Sequence, residues 1–303
     1  MAVRRLTRSP AMLGLYGRAA ASMLPGASRL PLLPGGGGAM PRLTLTLEDV
    51  AVDPLRLVSY KEVCEFGASQ HLPCTYPHIL AFPLHMALMT EPAFPFRAVG
   101  LVHIENTIVQ RRPVHHRELL SLEVSAGEPQ PHRRGQSFEI LTLVRAGGEL
   151  VWEERSVMLR RESVPPGGEP QEGAGTAGAG DCAERLSDAW VLRGDLGRRY
   201  AAVSGDRNPI HMSNLSARAF GFPRAIAHGM WSKARCIAAL KPRLGDSFAV
   251  SVSFRKPVAL PARLAFTACT DPEGETSFRV LGTRGGEQHL MGELFQPHAE
   301  TPA

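Results

Sequence analysis

The stretch YAAVSGDRNPIHMSNLSARAFGFPRAIAHGM, Tyr200 to Met230, gathers a carboxylate, an amide and an imidazole around a proline. Asp206 and His211 stand five positions apart. Side chains on one helix face are three or four apart, so this pair does not share a helix face. Pro209 disfavours helical geometry at Asn208. The segment is therefore expected to turn, and a turn lets Asp206 and His211 converge on one point. Asp and Asn suit such turns because their side chains bond nearby backbone. Capping of a helix near Pro209 would account for Asp206 and Asn208, and it is compatible with a chemical role. Ser204-Gly205 before the acid adds tight backbone packing and a hydroxyl. After it, GFPRAIAHGM ends with Gly229 at the start of a predicted helix. Unpaired N–H groups and the positive end of the dipole at such a start can hold a developing oxyanion. Glycine lets a ligand approach that backbone closely. An acid, a base and an oxyanion site so close in sequence form a constellation that capping alone does not require.

These residues need elements to position them. HGMWSKARCIAALK (228–241) reads as a helix with Met230, Ala234, Ile237, Ala238 and Leu240 on its apolar face. Strands follow: FAVSVSFRKPV, with Phe248, Val250, Val252 and Phe254 alternating, then ARLAFTACT, TSFRVLGTR and HLMGELF. A helix followed by several strands implies an α+β unit, an antiparallel sheet with a helix on one face. The plan occurs twice. YKEVCEF at Tyr60 matches YAAVSGD at Tyr200, and His71 falls on His211, both at an offset of 140. FPLHMALM falls on IAHGMWSK and RRPV on FRKPV at an offset of 144. This repeat predicts two tandem units forming an intrachain pseudo-dimer. Their expected limits are a flexible lead-in at 1–41, a first unit at 42–162, a Pro/Gly-rich linker at 163–183 and a second unit at 184–297.

Composition bounds the function. The 303 residues carry a formal charge of +5, partly from arginines of the lead-in, which has no acid before Glu48. There is no basic stripe with interleaved aromatics, which argues against nucleic acid. The longest apolar run, ILAFPLHMALM, is too short to span a bilayer, so no membrane insertion is expected. Five scattered cysteines without a C-x-x-C pair argue for a reducing compartment and against a disulfide framework or metal site. The expected location is cytoplasmic; the arginine-rich, acid-poor N-terminus keeps a cleaved presequence and a mitochondrial or peroxisomal location as the alternative.

YAAVSGDRNPIHMSNLSA resembles the signature of the MaoC-like dehydratases, the (R)-specific enoyl-CoA hydratases or hydratase 2 family. Tyr200, Val203, Ser204, Gly205, Asp206, Asn208, Pro209, Ile210, His211 and Ala217 fill its places, and GFPRAIAHGM is similar to the second block of that family. The resemblance implies the hot-dog fold, a long helix wrapped by a curved antiparallel sheet. The layout is similar to the double hot-dog enzymes, in which only one half keeps the catalytic pair. The first half departs from the pattern. Phe66 takes the Asp206 place and Ala68 the Asn208 place, with Leu84 at His228 and His85 at Gly229. That half is expected to be catalytically silent, its altered cleft giving room to a medium or bulky acyl group.

The implied reaction is reversible addition of water to a 2-enoyl thioester in fatty-acid metabolism. Asp206 would take the proton of the water, His211 would supply the proton to Cα, and the Gly229 N–H would meet the charge on the thioester oxygen. Ser204 and Asn208 are expected to orient the pair, and His228 to bond the turn. Arg255 and Lys256 at a strand end are candidates for the phosphates of CoA. The substrate would be an acyl-CoA or acyl-carrier-protein thioester, with no cofactor and no metal, and a homodimer of such chains is compatible with the pattern. Two other readings use the same fold: an acyl-thioester hydrolase, and a non-catalytic acyl-binding subunit of a lipid or polyketide assembly.

Overall fold

The computed structural model describes residues 2–24, 33–162 and 182–297. Strand β1 (Ala2–Leu6) and helix α1 (Met12–Ala21) come first. A first unit follows, with β2 (Leu43–Val50), α2 (Pro54–Cys64), α3 (Tyr76–Met89), β3 (Leu101–Gln110), β4 (Leu120–Ala126), β5 (Gln130–His132), β6 (Gly135–Ala146) and β7 (Glu149–Arg161). The second unit has β8 (Glu184–Leu192), α4 (Leu196–Ser204), α5 (Pro209–Met212), α6 (Asn214–Ala219), α7 (Gly229–Leu240), β9 (Phe248–Phe254), β10 (Ala262–Thr270), β11 (Thr276–Gly282) and β12 (Gln288–Phe295).

The repeat is visible in the order of strands, β1-β2-β4-β6-β7-β3-β9-β12-β11-β10-β8. Apart from β1, each unit lays its strands out in the same sequence from edge to centre, and β3 meets β9 antiparallel, with Ile108 opposite Val250. One sheet therefore runs through both units. Alternation along β9 buries Phe248, Val250 and Val252, as the period-two pattern requires. Helices α2 and α4 pack on each other and end alike, at Glu65 and Gly205, both with left-handed φ, 60° and 82°. Glycine adopts that conformation without strain.

Three expectations need correction. First, the lead-in is built structure over its described part. β1 pairs parallel with β2, and α1 buries Leu15 and Ala19 at 1% exposure against α3. Its arginines drew attention away from this short apolar stripe. Residues 25–32 lie outside the described residues, as do 163–181 of the expected linker. Second, α3 opens at Tyr76, whereas α7 opens at Gly229. Tyr76, not His85, therefore takes the helix-start place. The connection from α3 to β3 is longer than that from α7 to β9, and this moves the helices out of the strand register. Third, Cys182 and Cys269 form a disulfide, their Cα atoms 5.5 Å apart. The antiparallel β8–β10 pair sets Glu184 opposite Thr270 and so brings the two together. Cys64, Cys74 and Cys236 are free and buried.

The seam between units is polar at its centre. Lys233 of α7 is fully buried, and its Nζ donates to Asn106 Oδ1 at 2.5 Å, Asn106 O at 3.0 Å and Val250 O at 3.0 Å. One amine thus ties the second-unit helix to β3 and β9 together. Burial lowers its pKa from the ordinary 10.5 to about 7. An amine whose folded pKa is depressed favours the unfolded state wherever only that state binds the proton, so stability should rise as pH climbs above 7. The expected gain is about 2 kcal/mol between pH 7 and 9. Denaturant unfolding at the two pH values, compared with the same pair of measurements on Lys233→Met, checks this. The variant should lack the increment.

Candidate active site

The catalytic candidates come from a chain reversal after α4. Gly205 turns the chain, and the N–H of Asp206 donates to Ser204 Oγ at 3.1 Å. Asp206 Oδ1 accepts the N–H of Asn208 at 3.1 Å, and Asn208 Oδ1 in turn accepts the N–H of Ile210 at 3.3 Å. Asn208 is thereby the N-cap of α5, with Pro209 at its first position, where the missing N–H of proline costs nothing. Capping and chemistry share this turn. His211 lies in the single turn of α5, and Gly197 of α4 passes directly under its carbonyl, so close that any Cβ at 197 would collide with it.

The imidazole of His211 is fixed by its Nδ1, which donates to Ile226 O at 2.8 Å. That assigns the free lone pair to Nε2. A carboxylate oxygen of Asp206 and ring nitrogens of His211 and His228 lie within 4.8 Å of one another. Asp206 and His211 therefore face the same space, at a separation that one water can bridge. His228 stacks on His211 with centroids 3.6 Å apart, and its Nε2 donates to Asp206 O at 3.0 Å. This bond ties the start of α7 to the turn. Tyr200 packs beneath, 4.8 Å from the His228 ring.

Charge states follow from these contacts. Burial pushes the Asp206 carboxyl up, but the imidazoles of His228 and His211, the Asn208 N–H and the Tyr16 hydroxyl outweigh it, and the pKa is held below the usual carboxylate value. Burial lowers His211 more than Asp206 and the Ile226 carbonyl raise it. His228 is driven down to about 3 by burial and by His211. At neutral pH the site holds one carboxylate and two neutral imidazoles.

The chain reaches Gly229 through Ala227, whose N–H donates to Val258 O at 2.9 Å. Gly229 is the first residue of α7, and the first N–H to bond back into the helix is that of Ser232, to His228 O at 3.1 Å. The Gly229 N–H is thus one of the donors a helix start leaves without an intrahelical partner. A Cβ at Gly229 would stand 3.1–3.3 Å from the Phe254 ring, so a side chain here would press on that ring. Asp206, His211 and Gly229 all line one cavity of about 250 Å³. Arg255 and Lys256, with Arg161, line it as well, and the two second-unit cations are exposed.

Two contributors carried no signal in sequence. Arg56 of α2 donates from Nε to Val203 O at 2.7 Å and from Nη2 to Ser204 O at 3.2 Å, satisfying the last carbonyls of α4 just before the catalytic turn. Tyr16 of α1 lines the cavity. Its hydroxyl accepts the Arg207 N–H at 2.6 Å and lies 3.3 Å from Asp206 Oδ1 and 3.2 Å from Gly205 O. The lead-in therefore reaches into the site. Of the first-unit residues aligned with the motif, Phe66 packs 6.3 Å from Tyr60, and His71 is exposed beside His115.

The comparisons with known proteins agree with this arrangement. The profile of the MaoC like domain matches residues 190–279. The 3-hydroxyacyl-thioester dehydratase X of Mycobacterium tuberculosis is 36% identical over 88% of this chain and 94% of its own length. The crystal structure of HtdX from that organism superposes with a TM-score of 0.73 at 31% identity, over 84% of this chain and all of the other. This chain belongs to the MaoC-like dehydratases. It is a hydro-lyase, and its fold is the double hot-dog. A 12:0-ACP thioesterase from Umbellularia californica shares that fold, with a TM-score of 0.53 at 12% identity over 84% of this chain and 97% of the other, so the fold by itself does not choose the chemistry.

Tyr16 gives the site a testable dependence. Its hydrogen bond favours the ionised form of Asp206, and if the pair takes a proton from water, Asp206 has to be ionised and His211 neutral. Activity should fall as pH drops through those two values. In Tyr16→Phe the Asp206 pKa rises, so the acid limb of the kcat/KM profile should move to higher pH, while Gly229 and His211 stay in place. An acid limb identical to wild type would remove Tyr16 from the site.

Proposed function

We propose that the protein is an (R)-specific 2-enoyl-CoA hydratase, or 3-hydroxyacyl-thioester dehydratase, acting in fatty-acid metabolism in the cytoplasm without a resident cofactor. The observation that supports this reading is that Asp206, His211 and Gly229 line one cavity, with an Asp206 oxygen and a His211 ring nitrogen within 4.8 Å of each other. Water held between Asp206 and His211 loses a proton to the pair as its oxygen bonds Cβ. The π electrons shift toward the thioester carbonyl, whose oxygen takes up charge beside the Gly229 N–H. The pair then returns a proton to Cα. Because burial leaves His211 neutral at rest, the proton that reaches Cα is the one the water gave up, not one stored on His211 beforehand. Ser204, Asn208 and His228 act on the turn that carries the pair, not on the substrate. Arg255 and Lys256 at the mouth suit the phosphates of CoA.

In this reading 184–297 is the catalytic unit and 42–162 a silent one that shapes the acyl pocket. Phe66 offers no carboxylate where Asp206 stands, and Tyr76 opens α3 where Gly229 opens α7. Purified protein given crotonyl-CoA should consume the enoyl absorbance and give the (R)-3-hydroxy product. Asp206→Asn should lower the rate at least a hundredfold with unchanged circular dichroism. Release of free thiol without loss of the enoyl chromophore would point to the hydrolase instead, and binding without turnover to the acyl-binding subunit.

A further inference from the structure

Beyond Phe254 the cavity does not stay apolar. The Phe254 ring that faces Gly229 lies 5.1 Å from the His103 ring. His103 stacks at 6.4 Å on His78, and His78 lies 5.2 Å from His85. All three histidines line the cavity, together with Ser156. They come from α3, β3 and β7 of the unit without the acid. Behind them is a buried polar lattice. His78 Nδ1 is 2.9 Å from both oxygens of Glu154, and Asn106 Nδ2 donates to Glu154 Oε1 at 2.7 Å and to Ser156 Oγ at 3.0 Å. His85 Nε2 is 2.7 Å from Thr142 Oγ1.

Two valences of this lattice are unspent beside the cavity that His103 and Ser156 line. His103 Nε2 is buried with no hydrogen-bond partner. A neutral imidazole nitrogen either accepts or donates, and a hydroxyl can answer both. Ser156 Oγ accepts from Asn106, and its own hydrogen goes to no acceptor among the described residues. A buried polar atom left unpaired is costly, so these groups are out of place in a channel meant for plain hydrocarbon.

We propose that this histidine–serine nest is a specificity subsite for a neutral oxygen on the acyl chain, a hydroxyl above all, held between His103 Nε2 and Ser156 Oγ. A hydroxyl is the one simple substituent that donates to the imidazole and accepts from the serine at once. A carboxylate does not fit. Glu154 already places a negative charge behind the nest, and burial drives His103 and His85 down to about 3, so neither imidazole carries a countercharge. A cation bound by His78, His85 and Glu154 would have to displace the bonds that His78 makes to Glu154 and His85 to Thr142.

The inference rests on the hydratase reading for the identity of the ligand as an acyl thioester, but its test does not depend on turnover. Saturated acyl-CoAs of eight to twelve carbons are titrated calorimetrically into the full-length protein, each against analogues with one hydroxyl moved along the chain. At one position the hydroxylated ligand should bind about tenfold tighter than its parent. In His103→Leu that ratio should fall to one or below, each ligand pair serving as its own control. A hydroxyl that weakens binding at every position would overturn the proposal even if the variant fails to fold, and so would a preference that survives His103→Leu. Crotonyl-CoA hydration, measured in parallel, reads the hydratase assignment on its own. If hydration fails and the hydroxyl preference holds, only that assignment falls; the opposite outcome removes only the subsite.

Discussion

A carboxylate that is to take a proton from water must be ionised, aimed and still partly unengaged. Asp206 meets these needs through a few bonds. One of its oxygens is tied to the Asn208 N–H and the Tyr16 hydroxyl, and its side chain keeps 28% exposure. The same turn hangs on Ser204 before it and on the His228 imidazole behind it. Burial by itself pushes the Asp206 pKa up, and these donors together with the neighbouring imidazoles hold it down. These bonds hold the anion within 4.8 Å of a His211 ring nitrogen.

The supports come from both units and from the N-terminal segment. Arg56 of the first unit closes the end of α4, and Trp231 of α7 donates to Val63 O of α2 at 2.9 Å. Lys233 stitches α7 to the β3–β9 seam. The first unit is therefore not spare sheet. It braces the turn, completes the sheet and supplies the α3 wall of the cavity. Phe66 stands at the place that mirrors Asp206, and a buried set of polar groups surrounds Glu154 behind α3.

Much of this was legible in the chain. The spacing of Asp206, Asn208, Pro209 and His211 specified a turn and a convergence, because proline and the Asx side chain act locally. The α7 helix and the strands β9 to β12 followed from apolar periodicity, and the doubled plan from matched segments. What could not be read depends on distant contacts. Tyr16 reaches Asp206 across 190 positions, and nothing in a short arginine-rich segment marks one tyrosine as part of a site. Gly197 looks like any helix glycine until the His211 carbonyl is seen against it. The start of α3 at Tyr76 was hidden because a longer connection to β3 lets the strand register and the helix register disagree. The disulfide of Cys182 and Cys269 was hidden because their proximity exists only once β8 lies beside β10.

The central claim is that one pair of groups, on one side of the substrate, both takes the proton and returns it. The stereochemical course of the reaction in D2O tests this most directly. Hydration of crotonyl-CoA, followed by NMR of the isolated 3-hydroxybutyryl product, should show one deuterium at C2, added to the same face as the new hydroxyl at C3. Addition from opposite faces, or a mixture of the two, would mean that Asp206 and His211 do not serve a single water, and the account would fail.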